Sequence, residues 1–426
     1  MPHAGAAGTI RLKVMMMNDN DEKSAQWRGL SEVEWKQKVL SEPDDYGRIT
    51  AASGYPGSTR FRRILKYVLT PLEAKVCVQI IWHPLPAEQL AENIDTHVDR
   101  VGKALDDLHM KGLIHPRDFR TGEGFRYRMS TGKLHKSMLS NPKLDTDYPK
   151  LAKLWSDFID NEEGEWQCIS RLIASDQEQP PQRRILSAWK ALAAGPDCDQ
   201  IQPWEDQRAI AAATELCVEI PCPCRVQIAG SGGKCERTEL DACLLFDREA
   251  EYSLSKGIGR RIDSIELLAL MEQASYDGMA GSYLNNRAMP APTLCYCCDC
   301  CCHLWVSMKR HDVFQEHRGW AKSRWQPEVN ISACDGCGVC APKCLWQAIE
   351  MTGVDDKAKA VIDSDKCWGC GACVLWCKPE AIKMRCVRPE EWVPEKLPNL
   401  HPPKKWMPPR IVGATLKGYI KKRHTG

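Results

Sequence analysis

The clearest chemical pattern in this chain is a repeated arrangement of cysteines. The stretches CDGCGVCAPKC and CWGCGACVLWC share the spacing CxxCxxCxxxC and are offset by 33 residues. Thiolates are soft metal ligands, and gaps of two residues let three successive sulfur atoms turn toward one point. A tetranuclear iron-sulfur cluster needs a fourth thiolate, which must come from elsewhere. The repeat therefore predicts two 4Fe-4S clusters.

Over about residues 327–386 the repeat resembles bacterial two-cluster ferredoxins, in which the last cysteine of each copy binds the cluster of the other copy. This resemblance implies a first cluster held by Cys334, Cys337, Cys340 and Cys377. It implies a second cluster held by Cys367, Cys370, Cys373 and Cys344. Leu345 departs from the pattern, since proline usually follows the fourth cysteine. A pair of zinc sites is the alternative, but it does not explain why eight thiols follow the same CxxCxxCxxxC spacing in two copies.

A second group of cysteines lies upstream and does not follow this repeat. Its centre is the stretch CYCCDCCC, which places six thiols in eight residues. Neighbouring side chains on a strand point to opposite faces, so these six cannot all bind one cluster. They can divide between two sites, or between ligands and bystanders. The candidate metal ligands are Cys222, Cys224, Cys235, Cys243, Cys295, Cys297, Cys298, Cys300, Cys301 and Cys302.

Three interpretations of this second group remain open. The thiols can hold one or two further iron-sulfur clusters that continue an electron path from the ferredoxin-like repeat. They can include a zinc ribbon formed by Cys222, Cys224, Cys235 and Cys243. They can also be a redox-active disulfide or plain buried thiols.

The middle of the chain resembles a group of multi-domain iron-sulfur proteins from anaerobic bacteria and archaea. The shared pattern runs from PCPCR through ACLLF and GIGRRI to CYCCDCCC, and it precedes the two-cluster repeat. The resemblance covers roughly residues 65–385 and implies a redox protein with a winged-helix N-terminus that acts beside larger oxidoreductases. Asp299 stands where relatives often have glycine. Its charge would either lower the potential of a nearby cluster or face solvent.

Composition narrows the class of protein. The chain has 426 residues, of which 43% are hydrophobic and 27% charged, and this is typical of a globular protein of two to four domains. A formal charge of +2 argues against a strongly basic nucleic-acid binder. The 23 cysteines, without an apolar leader segment, favour a reducing cytoplasm. No run reaches the roughly 18 apolar residues of a membrane span, so direct membrane insertion is not expected.

Local signals predict a winged helix in the first third of the chain. Thr70, Pro71 and Glu73 form a helix start with a capping box. A second helix fits PAEQLAENI, and a third begins at Thr96 and stops at Gly112. The stretch RDFRTGEGFRYRMS then has the alternation and Gly-rich turn of a hairpin.

The predicted fold class is α+β, with an N-terminal winged helix, a mostly helical cysteine-rich middle domain and a C-terminal two-cluster ferredoxin fold. In the middle, RRILSAWKALAA is predicted to be an amphipathic helix, and Asp263 is predicted to cap the helix SIELLALMEQAS. The predicted domains are a loosely ordered extension (1–58), a winged-helix-like domain (59–135), a helical connector (136–215), a cysteine-rich domain (216–326), the ferredoxin domain (327–386) and a Pro-rich basic tail (387–426).

These features favour an electron-transfer protein that carries low-potential electrons between a ferredoxin or flavoprotein donor and a partner oxidoreductase. Since no Gly-rich nucleotide loop and no His or carboxylate constellation is evident, substrate turnover by this chain alone is not expected. An enzyme with an open cluster as its active site is a further possibility. The other alternative is a redox-sensing transcription regulator. Residues 96–128 carry seven Lys and Arg against five Asp and Glu, an excess too small to predict DNA as a partner.

Overall fold

The computed structural model describes residues 32–116, 127–129, 134–144, 146–163, 180–310, 320–353 and 358–397. Helices and strands are mixed along this part of the chain. Three predicted features lie wholly or largely outside the described residues: the first part of the extension 1–58, the turn of the hairpin with Phe125, and most of the basic tail. None of the helices in the described ranges combines the length and the apolar character that crossing a membrane requires.

Six helices open the described chain. Their bounds are α1 (Glu32–Leu40), α2 (Asp45–Ala52), α3 (Thr59–Val68), α4 (Pro71–Gln79), α5 (Ala87–Asn93) and α6 (Val98–Met110). The predicted capping box at the start of α4 is confirmed, because Thr70 and Glu73 each accept a backbone hydrogen bond from the other. Helix α6 begins later than predicted, since His97 rather than Thr96 is its N-cap and accepts from the Asp99 amide at 3.3 Å.

A short antiparallel pair follows α6, formed by β1 (Ile114–Pro116) and β2 (Tyr127–Met129). Helices α7 (Leu134–Leu139) and α8 (Tyr148–Phe158) come next, and α8 continues into a π-helical turn at Ile159–Glu163. The helices α3 to α8 share one apolar core. The order of α4, α5, α6 and the β1–β2 pair is compatible with a winged helix, which stays a prediction here.

The middle of the chain is organised around a seven-stranded sheet. Its strands are β3 (Arg183–Leu186), β4 (Cys217–Ile220), β5 (Cys243–Phe246), β6 (Arg260–Ile262), β7 (Ala280–Leu284), β8 (Thr293–Cys297) and β9 (Trp320–Ala321). They lie in the order β6-β4-β5-β8-β7-β3-β9. All neighbours are antiparallel except β3 and β9.

This sheet corrects the expectation of a mostly helical middle domain. Strands β4 and β5 are buried at every position, so they lack the alternation of polar and apolar residues that identifies a half-buried strand. The first four residues of RRILSAWKALAA were predicted to be helical and instead form β3. Pairing with β7 and β9 outweighs their helical pattern.

Six helices accompany the sheet. They are α9 (Trp189–Ala193), α10 (Gln207–Ala213), α11 (Pro223–Gly230), α12 (Asp247–Ser255), α13 (Ser264–Tyr276) and α14 (His303–Arg310). The predicted cap of α13 is confirmed, because the Asp263 carboxylate accepts from the amides of Ile265 and Glu266.

The C-terminal part consists of two antiparallel strand pairs and a short helix. Strand β10 (Trp325–Val329) pairs with β13 (Ile382–Cys386), and β11 (Ile349–Thr352) pairs with β12 (Lys359–Ile362). Helix α15 (Ala372–Leu375) lies between β12 and β13, and a 3-10 turn follows at Glu390–Trp392. The buried side chains of Trp325 and Met384 pack against α9, so this part shares a core with the sheet region.

Candidate metal centres

The two copies of the cysteine repeat are joined by reciprocal backbone hydrogen bonds. The Asn330 amide donates to Ala381 O at 2.7 Å, and the Asp363 amide donates to Ala348 O at 2.8 Å. Asn330 and Asp363 are equivalent positions of the repeat, and so are Ala348 and Ala381. Each cysteine loop therefore begins beside the end of the other copy, which is the arrangement that exchange of the fourth cysteine requires.

One set of thiols surrounds a small cavity of about 20 Å³. Cys367, Cys370 and Cys373 come from the second loop, and Cys344 comes from the end of the first. Burial and, to a smaller extent, the nearby Cys344 raise the pKa of Cys367 to about 11. The same two causes raise the pKa of Cys370 and of Cys373. A bound metal centre displaces these protons, because only the thiolate is a ligand.

The other set gathers around Cys340. Burial, together with the charges of Cys337, Cys377 and Cys334, raises the pKa of the Cys340 thiol to about 11. Cys377 belongs to the second copy, yet it packs against the same buried cluster as Cys334 and Cys340 of the first, which Cys373 and Cys344 of the other set also meet. Both thiol sets thus combine three cysteines of one copy with the last cysteine of the other.

Glycines let both loops pass close to neighbouring backbone. Gly336 and Gly369 are equivalent in the repeat and have φ angles of +78° and +77°. A Cβ atom added at Gly336 would lie 2.4 Å from Ala358 O, and one added at Gly369 would lie 2.0 Å from Trp325 O. Any side chain at either position would displace a loop that holds three thiols.

Four thiols of the cysteine-rich region form a separate, compact group. The sulfur atoms of Cys235, Cys298, Cys300 and Cys301 all lie within 4.8 Å of one another. Cys235 Sγ lies 3.8 Å from Cys298 Sγ and 3.7 Å from Cys300 Sγ, and Cys300 Sγ lies 3.6 Å from Cys301 Sγ.

These distances fit a single tetrahedral ion. With metal–sulfur bonds of about 2.3 Å, as in zinc sites, the edge of the sulfur tetrahedron is about 3.8 Å. A four-iron cluster binds each thiolate to a different iron atom, so it needs more widely separated sulfur atoms. Within the described ranges, this is the one group of three or more His, Cys, Asp or Glu ligand atoms that is so close.

Polar contacts hold the two chain segments of this compact group together. Arg237 donates to both carboxylate oxygens of Asp299, at 3.0 Å each, and to Pro342 O at 2.9 Å. The amide of Glu236 lies 3.5 Å from Cys300 Sγ. The loop that carries Cys235 is therefore fastened both to the CYCCDCCC stretch and to the first ferredoxin loop.

The zinc ribbon considered from the sequence is not the group that the structure assembles. Cys235 lies with three thiols of the CYCCDCCC stretch, whereas Cys222, Cys224 and Cys243 line a neighbouring cavity. The reason is the register of the sheet, which pairs Cys243 with Cys295 across β5 and β8, where both line the cavity.

The neighbouring cavity has a volume of about 410 Å³ and is rich in thiols. Two of its cysteines lie at the start of α11, three lie on strands β5 and β8, and one directly precedes α14. Cys298 and Cys301 of the compact group also reach its wall. The six cysteines that line it without belonging to the compact group are Cys222, Cys224, Cys243, Cys295, Cys297 and Cys302.

The thiols of this cavity affect one another's protonation. Cys222 and Cys302 raise the pKa of Cys224, and Cys302 raises the pKa of Cys297. Cys243 and Cys295 lie opposite each other on β5 and β8, and Cys243 lowers the pKa of Cys295 against the effect of burial.

Several residues at the cavity were missed by sequence reasoning. The Nδ1 atom of His303 lies 3.2 Å from Cys224 Sγ, and His135 contacts His303 edge to face. Burial lowers the pKa of His135 to about 3, so its imidazole is neutral. Lys136 and Arg183 supply positive charge at the wall. His303 follows Cys302 directly, which was a usable signal, whereas His135 and Arg183 are too far away in sequence to be linked with the thiols.

Comparison with protein families identifies the C-terminal domain. Residues 333–381 match the family described as 4Fe-4S dicluster domain. The match spans the eight cysteines of the repeat, so the prediction of two 4Fe-4S clusters is confirmed. The wider resemblance to multi-domain proteins of anaerobes is not tested by this match. Comparison of the chain with curated proteins and with solved structures found no match.

Proposed function

We propose that this protein transfers low-potential electrons between a ferredoxin or flavoprotein donor and a partner oxidoreductase. The observation that carries the proposal is the reciprocal pair of hydrogen bonds between the two cysteine loops, Asn330 to Ala381 O and Asp363 to Ala348 O, within a matched 4Fe-4S dicluster domain. When bound, each cluster supplies a centre that gains and loses one electron. The chain's own residues hold the thiolates and limit access of water.

The proposed ligands follow the two thiol sets. Cys334, Cys337, Cys340 and Cys377 bind the first cluster, and Cys367, Cys370, Cys373 and Cys344 bind the second. The small cavity that Cys344 shares with the second loop supports this exchange. The compact group of Cys235, Cys298, Cys300 and Cys301 binds a single structural ion that joins the loop of Cys235 to the CYCCDCCC stretch.

The N-terminal helices serve, in this proposal, as a winged-helix docking and packing module. The C-terminal end of α6 and strand β1 pack against helix α12. Tyr252 of α12 donates to Ile114 O at 2.8 Å, and His109 Nε2 of α6 lies 3.0 Å from Ser255 Oγ. The opposite end of α6 is open to solvent, where the Asp99 side chain is 84% exposed. An acidic side chain there opposes contact with DNA phosphates.

Metal analysis and reduction of the full-length protein test this function. Protein purified without oxygen is expected to contain at least about eight iron atoms and eight sulfides per chain, as two 4Fe-4S clusters require. Reduced ferredoxin should reduce these clusters, and an added electron acceptor should reoxidise them, with one electron counted per cluster. Clusters that accept no electrons from any low-potential donor would contradict the proposal.

A further inference from the structure

We infer that the 410 Å³ thiol-lined cavity is the site of a third iron-sulfur cluster, separate from the compact group and from the ferredoxin domain. The inference rests on the proposed electron-transfer function and extends it, because it names the centre that receives electrons inside this chain.

The arrangement of thiols is the first argument. Cys222, Cys224, Cys297 and Cys302 all line this one cavity. They come from three separate elements: the start of α11, the end of β8 and the residue before α14. Thiols converging from several elements on one cavity are the donor set that a soft, polynuclear metal centre requires. The cavity volume of about 410 Å³ is also far larger than a single metal ion needs.

The charge of the surroundings is the second argument. An iron-sulfur cluster bound by thiolates is an anion, and burying it without compensating charge is unfavourable. Arg183 and Lys136 both reach the cavity. Arg183 is held in place by a hydrogen bond from its Nε atom to Ser282 Oγ at 2.7 Å. Among the residues described at this wall, Glu and Asp carboxylates do not occur.

Part of the cavity lining is apolar and aromatic. Tyr55, Phe61, Trp155 and Phe158 belong to the N-terminal helical region and line the cavity together with the thiols. Phe61 and Phe158 are stacked with ring centroids 5.0 Å apart, and Tyr55 contacts Phe158 edge to face at the same distance. Aromatic packing of this kind excludes water from a cluster, and solvent exposure is one determinant of cluster potential.

A group of buried tryptophans links the cavity to the second ferredoxin site. Cys302 packs in one buried cluster with Trp305, Trp346 and Trp368, and Cys370 packs against the same cluster. The ring centroid of Trp305 lies 5.2 Å from that of Trp346 and 5.8 Å from that of Trp368. Ligands of both centres therefore contact one continuous aromatic core.

The resulting electron step is simple. A cluster held by the second ferredoxin set would supply one electron and be oxidised, and a cluster held by the cavity thiols would accept that electron and be reduced. The low-potential ferredoxin or flavoprotein donor of the proposed function would then replace the electron. No bond is broken, and no proton is transferred.

The test measures iron and sulfide in the full-length protein purified without oxygen, together with the paramagnetic resonance of the reduced state. The wild type is expected to hold about twelve iron atoms, the content of three 4Fe-4S clusters. The double variant Cys297→Ser, Cys302→Ser should lose about four of them and keep the ferredoxin signals. Cys224→Ser, at the start of α11, should have the same effect. It replaces the double variant in this test if the double variant does not fold. Cys217→Ala is the matched control, because Cys217 lies on the other face of the same sheet.

The outcomes separate this inference from the proposed function. About eight irons in the wild type, unchanged in the cavity variants, would overturn the inference and leave the two ferredoxin clusters standing. Zinc in place of the additional iron would also overturn it. Absence of reducible iron altogether would contradict the proposed function itself.

Discussion

Arg237 and Asp299 form a bidentate ion pair beside the compact four-thiol group, with 3.0 Å between each nitrogen and its carboxylate oxygen. Both side chains are largely buried, at 20% and 24% exposure. From the sequence, Asp299 would either lower a cluster potential or face solvent. The ion pair instead joins the segment of Cys235 to the segment of Cys300, so Asp299 positions the thiols of the compact group.

Replacing Arg237 should weaken metal binding at the compact group. Arg237→Gln leaves Asp299 without its cationic partner, and loss of an interaction that orients metal ligands costs about 10–100-fold in affinity. Competition with a chromophoric chelator measures this change. Arg208→Gln is the control, because Arg208 pairs with Asp206 at 2.8 Å on the surface, away from the cysteines. Equal affinities of both variants would contradict the positioning role.

The compact group should bind one ion that is independent of the iron-sulfur clusters. Cys235→Ser is expected to remove about one zinc or iron atom per chain, since a tetrahedral site needs all four thiolates. Elemental analysis measures the loss, and the resonance of the ferredoxin clusters should not change. Lowering the pH should release the same ion, because protons compete for the thiolates. Loss of about four irons instead would indicate a cluster at this site.

Exchange of the fourth ligand predicts reciprocal effects in the ferredoxin domain. Cys344→Ser should damage the cluster of Cys367, Cys370 and Cys373, whereas Cys377→Ser should damage the cluster of Cys334, Cys337 and Cys340. Each variant is expected to lose up to about four irons. Resonance spectra of the reduced full-length variants distinguish the two remaining clusters. Identical spectra from both variants would contradict the crossed ligand sets.

The N-terminal helices should not bind a specific DNA sequence. We expect only weak, sequence-indifferent association, with a Kd of about 10⁻⁴–10⁻⁶ M at physiological salt, because the exposed end of α6 carries Asp99. Fluorescence anisotropy at several salt concentrations measures the affinity and its salt dependence. Nanomolar, sequence-specific binding that changes with cluster oxidation would instead support the transcription regulator.

Much of the local structure was predictable, because its determinants are near one another in sequence. The capping box of Thr70 and Glu73 and the cap at Asp263 each depend on a few consecutive residues. The two cysteine loops could be identified for the same reason. Strand β3 was predicted to be helical because RRIL has no strong preference of its own, and its conformation depends on partners about 100 residues away.

By itself the sequence determined the chemistry of the chain: the number of thiols, the repeat that holds two 4Fe-4S clusters and the local helix signals. Only the tertiary structure decided how the ten upstream cysteines divide, with Cys235 joining Cys298, Cys300 and Cys301 while the other six line a cavity. The physical reason is that metal ligands are selected by distance in space. Those distances arise from the pairing of short, fully buried strands whose register no local pattern specifies.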